Sequence, residues 1–330
     1  MAFCELLPRG LTVLLKPILL ILCCGCAAVP RPTDHAQPGA LPVAWKPPPI
    51  EPQQGRPLLR FGVIADCQYC AVERAGNRHY AKSVGKLRAC VEHFNALDLD
   101  FVVHLGDFID RDWDSFDAVL PIYDQLKAPH HHVLGNHDFS VPDDRKQQVP
   151  AKLGLASRYY EFTHGDFRFV AIDGNDLSFH GHPKDSPAWR RSAVYYKVEG
   201  IKSPKWNGGL SLHQLEWLDR TLADATAKGQ RAFVLCHFPV YPEDVHNLWN
   251  AERVGRLLES HDSFVAYLNG HNHAGNLGER NGRPYHTFHG MVDTETTAYA
   301  VVSIYDDRME IDGFGRQPDR VLDLRPAPSK

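Results

Sequence analysis

Six short apolar runs that each stop at a polar residue constrain this chain more than any other feature. They are FGVIAD (61–66), FVVHLGD (101–107), HHHVLGN (130–136), FRFVAID (167–173), RAFVLCH (231–237) and FVAYLNGH (264–271). Bounded runs of this length, rich in β-branched and aromatic residues, read as buried strands. Helical patterns lie between several of them, as in RHYAKSVGKLRACVEHFNAL (78–97) and SLHQLEWLDRTLADATAKG (211–229). In the second, Ser211 and Gln214 fit a capping box. Leu212, Leu215, Leu218 and Leu222 form one stripe with Trp217 as core packing, and Gly229 ends the helix. Late in the chain YHTFHGMV, TAYAVVSIYDD and MEIDGFG read as consecutive strands, with a tight turn at Asp306-Asp307. The class expected is α/β, with two packed sheets flanked by helices.

At 330 residues, 43% of them hydrophobic and 23% charged, the chain can bury a sizeable core. A formal charge of -4 with no long basic run argues against nucleic acid or an anionic membrane surface as the main partner. Residues 1–26 read as an export signal: Arg9 and Lys16 accompany an apolar stretch, Leu11 to Leu22, that is short for a membrane span. LCCGCAAVP (22–30) is similar to a lipobox in which Cys26 becomes acylated; a cleaved secretory signal and an uncleaved anchor helix are the alternatives. The expected location is outside the cytoplasm, periplasmic or membrane-anchored through a lipidated Cys26. A proline-crowded linker (27–57) then leads into one domain, 58–325. Half of the eight cysteines lie in the leader, and Cys67, Cys70, Cys90 and Cys236 are too dispersed for a disulfide scaffold. Cys67-x-x-Cys70 has no second CxxC to complete a zinc knuckle and reads as structural.

The chemistry gathers where the runs end. Ligands of open α/β sheets collect at the carboxyl ends of strands, and here those ends carry Asp66, Gln68, Asp107, Asn136, His237, His271 and His273. One Asp or Asn at such a place is ordinarily a cap or turn former. The ordered set GDFID (106–110), GNHD (135–138) and GHNH (270–273) is far more specific, and its glycines are expected to turn the chain so that neighbouring side chains converge. Asp173 also ends a run but reads as structural. His130, His131 and His132 lie on a strand whose alternation would divide them between two faces, which argues against a metal tract.

With these motifs the chain resembles the calcineurin-like metallophosphoesterases, whose ordered pattern is D-x-H, GDxxD, GNH[DE], a lone His and GHxH. The resemblance implies a four-layer α/β/β/α sandwich with two packed mixed sheets and two divalent cations. Asp66, Gln68, Asp107 and His273 would hold one cation, and Asp107, Asn136, His237 and His271 the other. Two cations about 3.5 Å apart need a shared anion, supplied by Asp107, and hold between them a hydroxide that attacks phosphorus. His137 would stabilise charge on the phosphoryl oxygens, with Asp110 orienting and charging its imidazole. Asp110 also argues against the purple acid phosphatases, which have tyrosine there.

Gln68 stands where most of this superfamily has histidine, and an amide oxygen favours harder ions. Mn²⁺ is expected first, with Mg²⁺, Fe or Zn²⁺ as alternatives. In this the chain resembles the manganese-dependent ADP-ribose/CDP-alcohol diphosphatases, and NGGLSLHQLEWLD (207–219), CHFPVYP (236–242), LWNAERV (248–254) and FHGMVDTE (288–295) extend the likeness across 60–322. It implies hydrolysis of the phosphoanhydride of a nucleotide diphosphate-type small molecule, with no protein partner evident. Arg78 and Arg111 are candidate substrate contacts; a solvated helix start and a loop ion pair are the alternatives. Asn207-Gly208-Gly209 is either a loop near the cleft or plain turn chemistry. A cyclic-nucleotide phosphodiesterase or phosphomonoesterase with the same centre is the second reading, and a binding module without catalysis the third.

Overall fold

The computed structural model describes residues 55–325; the leader with Cys26 and most of the proline-rich linker lie outside them. Along the chain, β1 (Leu59–Ile64), α1 (Ser83–Asn95), β2 (Phe101–His104), α2 (Ser115–Tyr123) and β3 (His130–His132) alternate strand with helix. A short α3 (Val149–Lys152) precedes the hairpin of β4 (Tyr160–His164) and β5 (Phe167–Ala171). Then come α4 (Pro187–Val198), α5 (Leu212–Ala227), β6 (Arg231–Leu235), α6 (Ala251–Glu259) and β7 (Phe264–Asn269). The chain closes with β8 (Asn276–Arg280), β9 (Arg283–Thr287), β10 (Ala298–Ile304), β11 (Arg308–Gly315) and β12 (Arg320–Asp323).

These strands build two six-stranded mixed sheets, in the orders β12-β11-β10-β1-β2-β3 and β4-β5-β6-β7-β9-β8. Alternation along each strand sorts its side chains into separate cores. Phe61, Val63, Phe101 and Val103 face Phe169, Phe233 and Leu235 between the sheets. Ile64 and Val102 point outward against Leu87, Val91 and Phe94 of α1 and Val119 of α2. Val170, Ala232 and Val234 point the other way, against Leu215, Leu218 and Leu222 of α5 and Val254 of α6. Three cores between four layers give the α/β/β/α sandwich that the resemblance implied.

Local detail corrects some expectations and meets others. The late strands are consecutive but divide between the sheets: β9 lies in the second, beside β7, whereas β10 pairs antiparallel with both β1 and β11 in the first. Leu212, the first residue of α5, is 58% exposed and leaves the stripe that Leu215, Leu218 and Leu222 keep. The capping box is half formed. Ser211 Oγ accepts from Gln214 N at 3.3 Å, but the Gln214 side chain bonds Asp173 and Asp176, and Asp176 takes the Ser211 N–H. Cys67 and Cys70 are buried free thiols, and burial pushes Cys67 up to about 12. His131 stacks on Phe162 at 3.8 Å while His132 is buried beside Tyr123, the division between faces that alternation predicts.

The centre of the inter-sheet core is aromatic. Phe61 stacks on Phe101 at 4.7 Å between ring centroids, and Phe169 stacks on Phe233 at 5.3 Å across the layer. Phe169→Ala should therefore cost about 3–5 kcal/mol, read as a lower urea midpoint of the purified protein; a loss under about 1 kcal/mol would contradict this account of the core.

Candidate metal centre

The site lies along the seam where strand ends of the two sheets meet. From the first sheet, Asp66 and Gln68 follow β1, Asp107 follows β2 and Asn136 follows β3. From the second, His237 follows β6, and His271 and His273 follow β7. Asp66, Gln68, Asp107 and His271 all have left-handed backbone, with φ of 51, 47, 56 and 71°. Such conformations cost about 1–3 kcal/mol each in non-glycine residues and persist where surrounding packing over-determines them.

The motif glycines act differently from expectation. Only Gly106 of the three that precede Asp107, Asn136 and His271 needs positive φ, at 94°. Gly135 and Gly270 are required by close approach: a Cβ on Gly135 would lie 2.1 Å from Asp107 N, and one on Gly270 2.7 Å from Asp66 Oδ2. Absence of a side chain, more than freedom to turn, brings these loops together.

Distances within the seam fall into two groups. His237 Nε2 lies 3.2 Å from Asp107 Oδ2, 3.1 Å from Asn136 Oδ1 and 3.0 Å from His271 Nδ1. Beside it, Gln68 Nε2 lies 3.4 Å from Asp107 Oδ2, and His273 Nε2 lies 3.4 Å from Asp66 Oδ1. Asp107 joins the groups. Asp107, His237 and His271 can each offer a donor atom within 4.8 Å of the others.

Divalent cations fit these residues. Each histidine has one ring nitrogen occupied from outside: His237 Nδ1 by Leu105 O at 2.9 Å, His271 Nε2 by Asn207 Oδ1 at 2.9 Å and His273 Nδ1 by Asp293 Oδ1 at 2.8 Å. The remaining nitrogen of His237 and of His273 faces a carboxylate and that of His271 faces His237 Nε2, so all three turn into the cluster, as metal-binding imidazoles are held. Gln68 Oε1 is buried with no hydrogen-bond partner. An orphaned acceptor among acids calls for a cation.

The acids, by contrast, meet positive charge on two of the histidines. Burial opposes the charge on His237, yet the Asp107 carboxylate wins and raises it to about 9. Burial likewise opposes His273, but Asp66 and Asp293 raise it to about 9. Asp107 is lowered against its burial by His237 and His137, whereas burial and then His237 push His271 well down.

His137 Nδ1 lies 2.6 Å from Asp110 Oδ1, and the His137 N–H donates to Asp107 Oδ1 at 2.7 Å. A cavity of about 330 Å³ opens over the centre, lined by Arg78, Asp107, Asn136, His137, His271 and His273 together with Trp206 and His246. Arg78 also lines an adjoining hollow of about 430 Å³. Arg111 lines neither; it packs over the Tyr80 ring, 3.7 Å from Asp110 Oδ2. Asp173 holds Arg158 at 2.6 Å, a structural contact.

Sequence reasoning missed three supports, Asp138, Asp293 and His246, and of a fourth, Asn207, saw only a loop that could lie near the cleft. Asp138, the last residue of GNHD, accepts from the backbone N–H of Gly135, Asp107 and Phe108, tying the two loops together. Burial and then the Asp107 charge raise it to about 7. Asn207 and Asp293 fell within stretches noted for likeness, but nothing local marks them as partners of His271 and His273. His246 carries no motif at all. Its ring lies 5.4 Å from that of His271.

Two facing mixed sheets with acids, amides and histidines gathered at their strand ends define a class, the α/β metal-dependent hydrolases. The chain belongs to the calcineurin-like phosphoesterase family, whose sequence pattern matches residues 59–275. It is 31% identical to the curated manganese-dependent ADP-ribose/CDP-alcohol diphosphatase of Xenopus tropicalis, over 83% of this chain and 96% of that protein. Against the protein of the same name from Danio rerio the identity is 31%, over 81% of this chain and 98% of that one. Among solved structures, a dimetal phosphatase from Danio rerio superposes with a TM-score of 0.74 at 30% identity, covering 82% of this chain and all of that one.

His237 and His273 are raised to about 9 and so are protonated at pH 7 without metal. Cation uptake at pH 7 should release about two protons, and the release should fade as pH rises through 9. Calorimetry of Mn²⁺ binding in buffers of different ionisation enthalpy reads this; a heat independent of buffer would contradict it.

Proposed function

We propose that this protein is a two-metal phosphohydrolase that cleaves the phosphoanhydride bond of nucleoside diphosphate derivatives such as ADP-ribose and CDP-alcohols, releasing two phosphomonoesters. The observation that carries the reading is the identity with diphosphatases of that name over four fifths of the chain, joined to Gln68 at the first acid's motif. In this reading Asp66, Gln68, Asp107 and His273 hold one cation, and Asp107, Asn136, His237 and His271 the other. Bound there, the two cations supply Lewis acidity toward phosphoryl oxygens and acidify water. Manganese suits an amide oxygen at Gln68 beside carboxylates.

The chain's own groups do the rest. Asp110 occupies Nδ1 of His137, which leaves Nε2 as the nitrogen able to present a proton to a phosphoryl or leaving oxygen in the cavity. Arg78 lines the cavity with its charge secure, since burial is outweighed by Tyr80 and the nearby Asp107 and Asp110. A guanidinium there suits the second phosphate of a diphosphate. Arg111 is assigned a supporting part, holding Asp110 and Tyr80 from outside the cavity.

For location, the apolar stretch Leu11–Leu22 and the lipobox-like LCCGCAAVP support export with Cys26 as a lipidated anchor. Labelling with a fatty-acid analogue, lost in Cys26→Ser, tests it.

A Mn²⁺-supplemented panel tests the reaction. ADP-ribose and CDP-choline should each yield two phosphomonoesters; turnover confined to cAMP or 4-nitrophenyl phosphate would replace this reading with the phosphodiesterase or phosphomonoesterase one. Asp107→Ala should abolish metal binding and activity together. His137→Ala should keep both cations and slow turnover by roughly 10²-fold or more; loss of the metals instead would overturn the role given to His137.

A further inference from the structure

Lys86, on the inner face of α1, is the one lysine among the described residues that is almost wholly buried, at 7% exposure. Its ammonium has no carboxylate partner at hydrogen-bond distance. Instead four successive carbonyl oxygens, those of Met291, Val292, Asp293 and Thr294, converge on Nζ at 2.8, 3.3, 3.4 and 2.8 Å. Extended chain sends successive carbonyls to opposite sides. This segment therefore curls around a point charge, and Thr294 takes a left-handed φ of 58° to do so. Without a cation at that point, four carbonyl dipoles would face one another in a buried space.

The same segment touches one half of the metal centre at two places and the cavity arginine at a third. Val292 N–H donates to Asp66 O at 2.9 Å. Asp293 accepts from His273 Nδ1 at 2.8 Å, and the Asp293 backbone pairs with that of Arg78. By contrast, the outer partners of His237 and His271 are Leu105 O and Asn207 Oδ1, on parts of the chain Lys86 does not contact.

We propose that Lys86 is a positioning residue for one of the two cations: its ammonium shapes the 291–294 segment so that Asp293 aims His273, and the Asp66 turn is held, toward a single metal. The proposal rests on the two-cation reading and adds an asymmetry to it. Partners that orient a metal-binding imidazole are worth roughly 10- to 100-fold in affinity. Removing the ammonium should therefore weaken the cation held by Asp66, Gln68 and His273 by that factor and leave the other nearly unchanged.

The test is Mn²⁺ binding to the metal-free full chain, counted from the electron paramagnetic resonance signal of the free ion. Wild type should take up two Mn²⁺; uptake of fewer would defeat the two-cation reading itself. Lys86→Met, and Lys86→Gln as a polar variant that still folds if Met does not, should lower one of the two affinities by roughly 10- to 100-fold. His273→Ala should remove the same site, and adding Lys86→Met to it should leave the remaining affinity unaltered. Equal weakening of both sites, or of neither, overturns the proposal. So does failure of both Lys86 variants to fold, which would make Lys86 a residue of stability alone.

Discussion

The carboxylate of Asp107 is the contact on which the centre depends. It is 1% exposed, yet it meets the His137 N–H, His237 Nε2 and Gln68 Nε2, and the backbone N–H of the same residue is held by Asp138. A buried carboxylate is tolerated only with donors and positive charge on every side. Here those come from three loops of two sheets, so the charge cannot be satisfied until the whole sandwich has closed. The left-handed backbone at Asp66, Gln68, Asp107 and His271 is the cost of aiming those loops at one point. Packing of the four layers offsets it.

Because the first sheet brings the acids and amides and the second brings the histidines, the inter-sheet core and the metal centre are one mechanical problem. The aromatic layer of Phe61, Phe101, Phe169 and Phe233 sets how far apart the sheets stand. That spacing decides whether His237 Nε2 reaches Asp107 and Asn136. Stability of the fold and geometry of the chemistry are thus carried by the same contacts; Gly270 lets its loop approach Asp66 across that fixed spacing, and Gly135 lets two loops of the first sheet close on Asp107.

Around the acids and histidines lies a ring of groups whose work is indirect. Asp138 binds two loops through backbone N–H groups, while Asn207 and Asp293 settle which nitrogen of His271 and His273 faces inward. Lys86 shapes the segment that carries Asp293. In a site where two cations replace protons, these supports determine whether the imidazoles present lone pairs at the right place.

Much of this was legible from the chain alone, since an acid, amide or histidine that ends an apolar run is visible in the run itself. The six runs became strands, two packed sheets flanked by helices followed from their number and the helices between them, the four-layer order came from the family resemblance, and the acids, amides and histidines of the seam were all named by their place at strand ends. Local pattern could not tell that β9 and β10 belong to different sheets, that Leu212 falls outside the core, or that Gly135 is needed for nearness and not for a turn. Nor could it find Asp293, Lys86 or His246, or give the Asn207 loop its partner, since each meets its partner across tens to hundreds of intervening residues. Strand ends announce themselves because hydrophobic periodicity is a property of neighbours along the chain; the groups that orient them are chosen by the closed sandwich, where proximity no longer follows sequence.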